Sequence, residues 1–154
     1  MIRDYNLNSH DRRSLKKIVK TFSEEKDSHK DFEASWFRIN TYETFTLPSD
    51  YFLIEVTDSN QVFLPSEIKG LMIGRERNSG NTYDFCLAYV KPEYRKNGVM
   101  SNLTEEMIKR ALLRGCSRIE SVVLARNIPS LSFHKKLGWR EKKDLDSIRF
   151  VKEL

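Results

Sequence analysis

Among 154 residues there are two cysteines, six glycines and three histidines, and each scarcity excludes something. Cys86 and Cys116 are too few and too far apart for a metal quartet or a disulfide framework. His10 and His29 stand isolated and suggest no role, and no metal site is expected. Neither G-x-x-x-x-G-K-S/T nor G-x-G-x-x-G occurs, so the usual triphosphate and dinucleotide loops are missing. The longest uncharged apolar runs, 85–90 and 122–125, fall far below the roughly 18 residues that span a bilayer. Met1, Ile2, Arg3, Asp4 and Tyr5 bring charge where a secretory leader would be apolar. A reduced, cytoplasmic protein with no membrane partner is expected.

What is present suits one soluble domain over 1–154. Hydrophobic residues make up 39% and charged residues 32%, a globular rather than a disordered balance. A chain of this length buries roughly 68–70% of its extended surface. The net charge of +5 is unevenly spread: residues 91–143 hold 13 Lys/Arg against 5 Asp/Glu, whereas residues 1–90 hold 12 against 14. The basic surplus belongs to the C-terminal half, where its field attracts an anionic partner. Nucleic acid and a small polyanionic cofactor are both candidates. No RNA-binding strand signature or helix-turn-helix pattern supports the first.

Periodicity places a short strand over 1–6, then a helix over 12–25 capped by Ser9 or Asp11 and marked by Leu15, Ile18, Val19 and Phe22. A second helix is predicted over 30–45, where Phe32, Trp36 and Phe37 serve as core or as a pocket wall. Strand composition returns over 51–56, and 57–66 reads as a long loop. Strands over 68–77 and 82–91 flank the turn signal Asn78-Ser79-Gly80-Asn81 and predict an antiparallel hairpin. Val99, Leu103, Met107, Ile108, Ala111 and Leu112 mark an amphipathic helix over 99–114, with Gly115 at its C-terminal end. A buried strand over 119–125, a short helix over 129–137 and strands over 139–143 and 147–151 complete a mixed α/β domain.

The junction between the strand ending near Pro92 and the helix starting near Gly98 has the chemistry of an anion site. A helix N-terminus leaves four N–H groups without internal partners and adds partial positive charge. Gly98 lets a phosphate approach without a Cβ in the way, and Arg95 and Lys96 add charge-assisted contacts. On these local features alone, a basic loop that merely starts a helix is an equal reading.

The longer segment Val90-Lys91-Pro92-Glu93-Tyr94-Arg95-Lys96-Asn97-Gly98-Val99-Met100 resembles the acetyl-CoA motif of the GNAT superfamily of N-acetyltransferases, Q/R-x-x-G-x-G/A after an extended strand. Arg95 and Gly98 match, and Met100 stands where glycine or alanine is usual. Asn127-Ile128-Pro129-Ser130-Leu131-Ser132-Phe133-His134-Lys135-Lys136-Leu137-Gly138-Trp139 resembles the downstream motif N-x-x-A/S-x-x-F/L-Y/H-x-K/R-x-G-F/W. Matching elements cover about 68–151. Residues 68–154 would then be the cofactor-binding region, and residues 1–67 the variable region on the acceptor side.

The resemblance implies a central, mostly antiparallel sheet that splays open beyond the strand ending at Val90, flanked by helices. It implies acetyl-CoA as cosubstrate, with the pantetheine arm against Leu87, Ala88, Tyr89 and Val90. The pyrophosphate would rest on Arg95, Lys96, Asn97, Gly98, Val99, Met100 and Ser101, with Asn127, Ser130 and Lys135 near the arm. It further implies acetyl transfer to a primary amine by direct attack, with His134 where relatives carry a proton-donating tyrosine. An acyl-CoA-binding sensor without catalysis is the competing reading, and monomer and homodimer both stay open.

Such a transfer deprotonates an amine of pKa about 10.4 and favours protonation of a thiolate whose thiol has a pKa of about 8.5. An imidazole suits the second task, although a structural histidine at 134 is the simpler alternative. For the base, Asp84 and Glu76 are candidates, with Asp84 and Cys86 expected on one strand face. Cys86 reads as a core residue, and Tyr89 as an acceptor-flanking or core residue.

Overall fold

A computed structural model describes residues 2–4, 50–56, 68–77, 81–125 and 127–154. The helices expected over 12–25 and 30–45, with their caps and the aromatic group Phe32, Trp36 and Phe37, lie outside the described residues. So do the loop over 57–66 and most of the turn over 78–81. In chain order the described elements are β1 (Ile2–Asp4), β2 (Asp50–Val56), β3 (Ile68–Glu76), β4 (Thr82–Val90), a 3₁₀ turn (Pro92–Tyr94), α1 (Val99–Leu113), β5 (Arg118–Leu124), α2 (Ile128–Lys136), β6 (Arg140–Lys143) and β7 (Ser147–Glu153).

The seven described strands form one sheet ordered β1-β2-β3-β4-β5-β7-β6. Every pairing among them is antiparallel except β4 with β5. There α1 makes the crossover, because parallel neighbours need a long connection. The result is a mixed, mostly antiparallel α+β sheet. The expected elements recur with ends shifted by one or two residues. β7 runs to Glu153 rather than 151, and α2 starts at Ile128 rather than 129.

The pairing of β3 with β4 has one irregularity. Ile73 pairs with Leu87 and Gly74 with Phe85, so Cys86 is the extra residue of a bulge. The Cys86 side chain lies outside the described residues, and with it the expectation that Asp84 and Cys86 share a face.

The core lies between the sheet and α1, whose buried side is Val99, Leu103, Thr104, Met107 and Ala111. Tyr83, Met72, Ile119, Trp139 and Phe150 continue it from the strands and from the turn after α2. α1 ends in a Schellman motif. The Cys116 N–H donates to the Ala111 carbonyl at 3.0 Å and the Gly115 N–H to the Leu112 carbonyl at 2.9 Å. Gly115 takes φ +77°, a conformation costly for residues with a Cβ. Among the described residues no helix is long and apolar enough to cross a membrane.

Candidate active site

β4 and β5 are paired over a short distance only. Thr82, Tyr83, Asp84 and Phe85 face Arg118, Ile119, Glu120 and Ser121, and the ladder stops there. Beyond it, Leu87, Ala88, Tyr89 and Val90 pair with β3 alone, and Val122, Val123 and Leu124 pair with β7 alone. The sheet thus opens between β4 and β5, as expected, from a vertex at Phe85 and Ser121. The two facing backbone edges can accept hydrogen bonds from, and donate them to, an extended amide-bearing ligand.

At the open end of β4 the chain turns into α1. Lys96 and Gly98 take positive φ values of 65° and 79°. The helix start has no side-chain cap. Its first backbone bond comes from the Asn102 N–H to the Gly98 carbonyl, which leaves the preceding amides to point out of the helix end. A Cβ at Gly98 would meet nothing within 4 Å, so the approach is open. Arg95, Lys96, Asn97, Gly98 and Ser101 are exposed and Val99 is buried. Met100 is half-buried and packs against the core, so its bulk is spent there. Arg95 folds back: its Nε donates to the Val90 carbonyl at 3.0 Å and its guanidinium lies 5.6 Å from the Tyr89 ring centre. Tyr89 itself is buried.

Across the opening, Asn127 caps α2 by accepting the Ser130 N–H on Oδ1 at 3.3 Å, and Pro129 occupies the first turn where its missing N–H costs nothing. An Asn whose oxygen caps a helix keeps its NH₂ as donor. Lys135 is more than half exposed and approaches Glu141 of β6 at 3.9 Å.

His134 points inward from α2 and is buried. Its ring stacks on Phe150 with centres 4.7 Å apart and meets Trp139 edge-on at 5.5 Å. Nδ1 lies 2.7 Å from the Ser130 carbonyl. A carbonyl only accepts, so Nδ1 carries the proton and donates it there. Nε2 of the neutral ring is then an acceptor and receives the Ser121 hydroxyl at 3.0 Å. Burial lowers the His134 pKa below its ordinary value, against a smaller opposite effect of the Ser130 hydrogen bond. The ring is therefore neutral at neutral pH, and its one N–H is committed to the backbone.

The carboxylates expected to act as base are held elsewhere. Asp84 pairs with Arg77, and Glu76 pairs with Arg114 at 2.8 Å. Glu76 sits opposite Tyr83, at the closed end of the hairpin whose open end joins Gly70 to Val90. Asp84 alternates away from Phe85 and so projects from the face opposite Ser121. The structure does not bring Asp84 or Glu76 together with His134.

Two groups escaped sequence reasoning. Ser121 carries no motif and is found only through its partner. Glu120, 5% exposed, gathers three arginines: Arg77 at 2.9 Å, Arg149 at 3.1 Å and Arg118 at 3.3 Å. Burial alone would raise its pKa, but the Arg77 hydrogen bond and the three positive charges outweigh burial and hold it below the ordinary value. The Asp84 and Glu120 hydrogen bonds in turn raise the Arg77 pKa. A lone carboxylate in the apolar run 119–125 was the available signal. Among the described residues no group of His, Cys, Asp and Glu could hold a metal.

Residues 14–139 match the family described as Acetyltransferase (GNAT) family. A thialysine N-epsilon-acetyltransferase of Sus scrofa is 37% identical over 68 residues, which are 42% of this chain and 40% of that protein. The chain thus spans well under half of that relative. In backbone, the chain is similar to a GNAT-family acetyltransferase of Desulfovibrio desulfuricans, with a TM-score of 0.74 at 14% identity over 99% of this chain and 98% of the other. It is also similar to the PaiA N-acetyltransferase of Thermoplasma acidophilum, solved in complex with coenzyme A, with a TM-score of 0.69 at 20% identity over 100% and 99%. At such identities the likeness is one of fold.

Proposed function

The chain belongs to the GNAT acetyltransferase family, and from that premise we propose that it transfers an acetyl group from acetyl-CoA to a primary amine by direct attack. The observation that carries the reading is the parting of β4 from β5 beyond Phe85 and Ser121, beside an uncapped helix start. An extended arm and a pyrophosphate need those two features side by side.

The residues present fit the cosubstrate. The amides around Gly98 to Ser101 would hold the pyrophosphate, with Arg95, Lys96 and Asn97 at its rim, and the Leu87, Ala88, Tyr89 and Val90 edge would pair with the arm. The open space over Gly98 supports this, because a Cβ there would stand where the phosphate must approach. Asn127 would direct its NH₂ toward the arm while its oxygen caps α2, with Ser130 and Lys135 beside it. Bound acetyl-CoA supplies the acetyl thioester, and the chain's own contribution is to orient it, exclude water and place proton-accepting groups. The pig relative's name assigns it the ε-amine of thialysine, which supports a primary alkylamine as the acceptor here. A cytoplasmic site of action and a monomer or homodimer belong to the same proposal.

A non-catalytic acyl-CoA sensor is the second reading. It is favoured by His134, whose N–H is committed to Ser130 and so does not stand ready for a leaving thiolate. Thiol release from acetyl-CoA across a panel of amines, with product masses, separates the two. Turnover with at least one amine supports the enzyme, and coenzyme A binding without any turnover supports the sensor.

A further inference from the structure

The Ser121 hydroxyl occupies the last rung of the β4–β5 ladder, at the vertex from which the sheet opens. Its hydrogen is given to His134 Nε2 at 3.0 Å, and His134 is fixed as acceptor because Nδ1 donates to the Ser130 carbonyl at 2.7 Å. Phe150 and Trp139 hold the ring in that orientation. A hydroxyl whose hydrogen is spent on an imidazole keeps its oxygen lone pairs for another donor. This is the polarity of a base-assisted hydroxyl.

We propose that Ser121 is a catalytic residue whose Oγ receives the proton of the attacking amine, and that His134 is the positioning residue that takes the Ser121 proton in exchange. The assignment rests on the acetyltransferase reading. As the N–C bond forms, the amine proton passes to Ser121 Oγ while the Ser121 hydrogen moves to Nε2. As the C–S bond breaks, Ser121 returns a proton to the sulfur and recovers its own from the imidazolium. Amine and sulfur exchange one proton, and the pair ends as it began. Among the described residues the hydrogen-bond and ring partners of His134 are Ser121 of β5, Phe150 of β7, Ser130 and Phe133 of α2, and Trp139. None of them is charged. Its proton affinity is set by burial and the Ser130 carbonyl.

The test compares the wild-type chain, Ser121→Ala and Ser121→Thr in three measurements. Coenzyme A binding by calorimetry is expected to be equal in all three. Thiol release from acetyl-CoA with the best amine, or with water as acceptor, is expected to fall about 100-fold in kcat for Ser121→Ala. Its KM for acetyl-CoA should stay within twofold, and Ser121→Thr should recover most of the loss. With water as acceptor, which has no ammonium form to titrate, the wild-type kcat should decline on the acid side as His134 becomes protonated, and the residual rate of Ser121→Ala should lack that limb. Nitrogen NMR of the His134 ring is expected to show hydrogen on Nδ1 and none on Nε2. A protonated Nε2 at neutral pH, a Ser121→Ala rate within twofold of wild type, or an acid limb unchanged in that variant would overturn the relay. Failure of the wild type to bind coenzyme A would instead bring down the acetyltransferase reading beneath it, while the NMR result still judges the polarity of the pair.

Discussion

Gly74 lies beneath the ring of Tyr83: a Cβ at Gly74 would stand 2.2 Å from Tyr83 Cε1 and 2.7 Å from its hydroxyl oxygen. Tyr83 is fully buried, so its ring has nowhere to retreat. Gly74→Ala is expected to destabilise the fold by about 1–3 kcal/mol, the usual cost of overpacking. Urea denaturation should show a lower midpoint with an unchanged slope. An unaltered midpoint would mean that the ring relocates without penalty.

Removal of the Glu120 carboxylate leaves Arg118 and Arg149 without their shared acidic partner, while Arg77 keeps Asp84. Glu120→Gln is expected to cost about 3 kcal/mol, the low end for a broken buried pair, because the arginine side chains keep 41%, 41% and 39% exposure. Thermal unfolding should report the loss. Raised salt should narrow the difference by screening the leftover repulsion.

Glu120 and His134 move stability with pH in separate windows. The Glu120 pKa is lowered in the fold, so its contribution is present above the unfolded value of 4.5 and is lost as pH falls below it. The His134 pKa is lowered too, and its fold-favouring form is neutral. The unfolded chain therefore takes up a proton first as pH falls below 6.5, and stability declines from there toward the folded value, by up to about 1.4 kcal/mol per unit. Chemical denaturation of wild type and His134→Gln between pH 5 and 7.5, a range chosen around the ordinary histidine pKa of about 6.5, should show the slope in the first and its loss in the second.

Gly98→Ala and Gly115→Ala place the same strain at different sites. Both positions have strongly positive φ, 79° and 77°, so each substitution should cost about 1–2 kcal/mol of stability. Only Gly98→Ala should also weaken coenzyme A, by about tenfold, since it obstructs the amides of the α1 start. Calorimetric titration of both variants decides it, and equal affinities would remove the turn from the binding site.

Asn127 should separate its two duties. Asn127→Asp keeps a capping oxygen and gives up the NH₂, so it should retain stability and weaken coenzyme A binding. Asn127→Ala should lose about 1 kcal/mol of stability as well. If both variants bind coenzyme A as the wild type does, the cap is the side chain's whole purpose.

The sequence alone determined the order of elements over 68–154, because amphipathic spacing, Gly115 and Pro129 act within one turn or one strand of themselves. It also determined the strand–turn–helix junction around Gly98, since strand, basic residues, glycine and helix start are contiguous. Tertiary structure decided what depends on neighbours distant in sequence. Met100 turns to the core because of what lies beneath it, and the bulge at Cys86 exists only in the pairing with β3. Asp84 and Glu76 became arginine partners because pairing brought Arg77 and Arg114 to them. His134 was legible as a residue but not as a role. Its proton sits on Nδ1 because of a carbonyl four residues back, whereas its open nitrogen found Ser121 across the sheet. No periodicity records that encounter, because it is fixed by how α2 packs on β5 and β7.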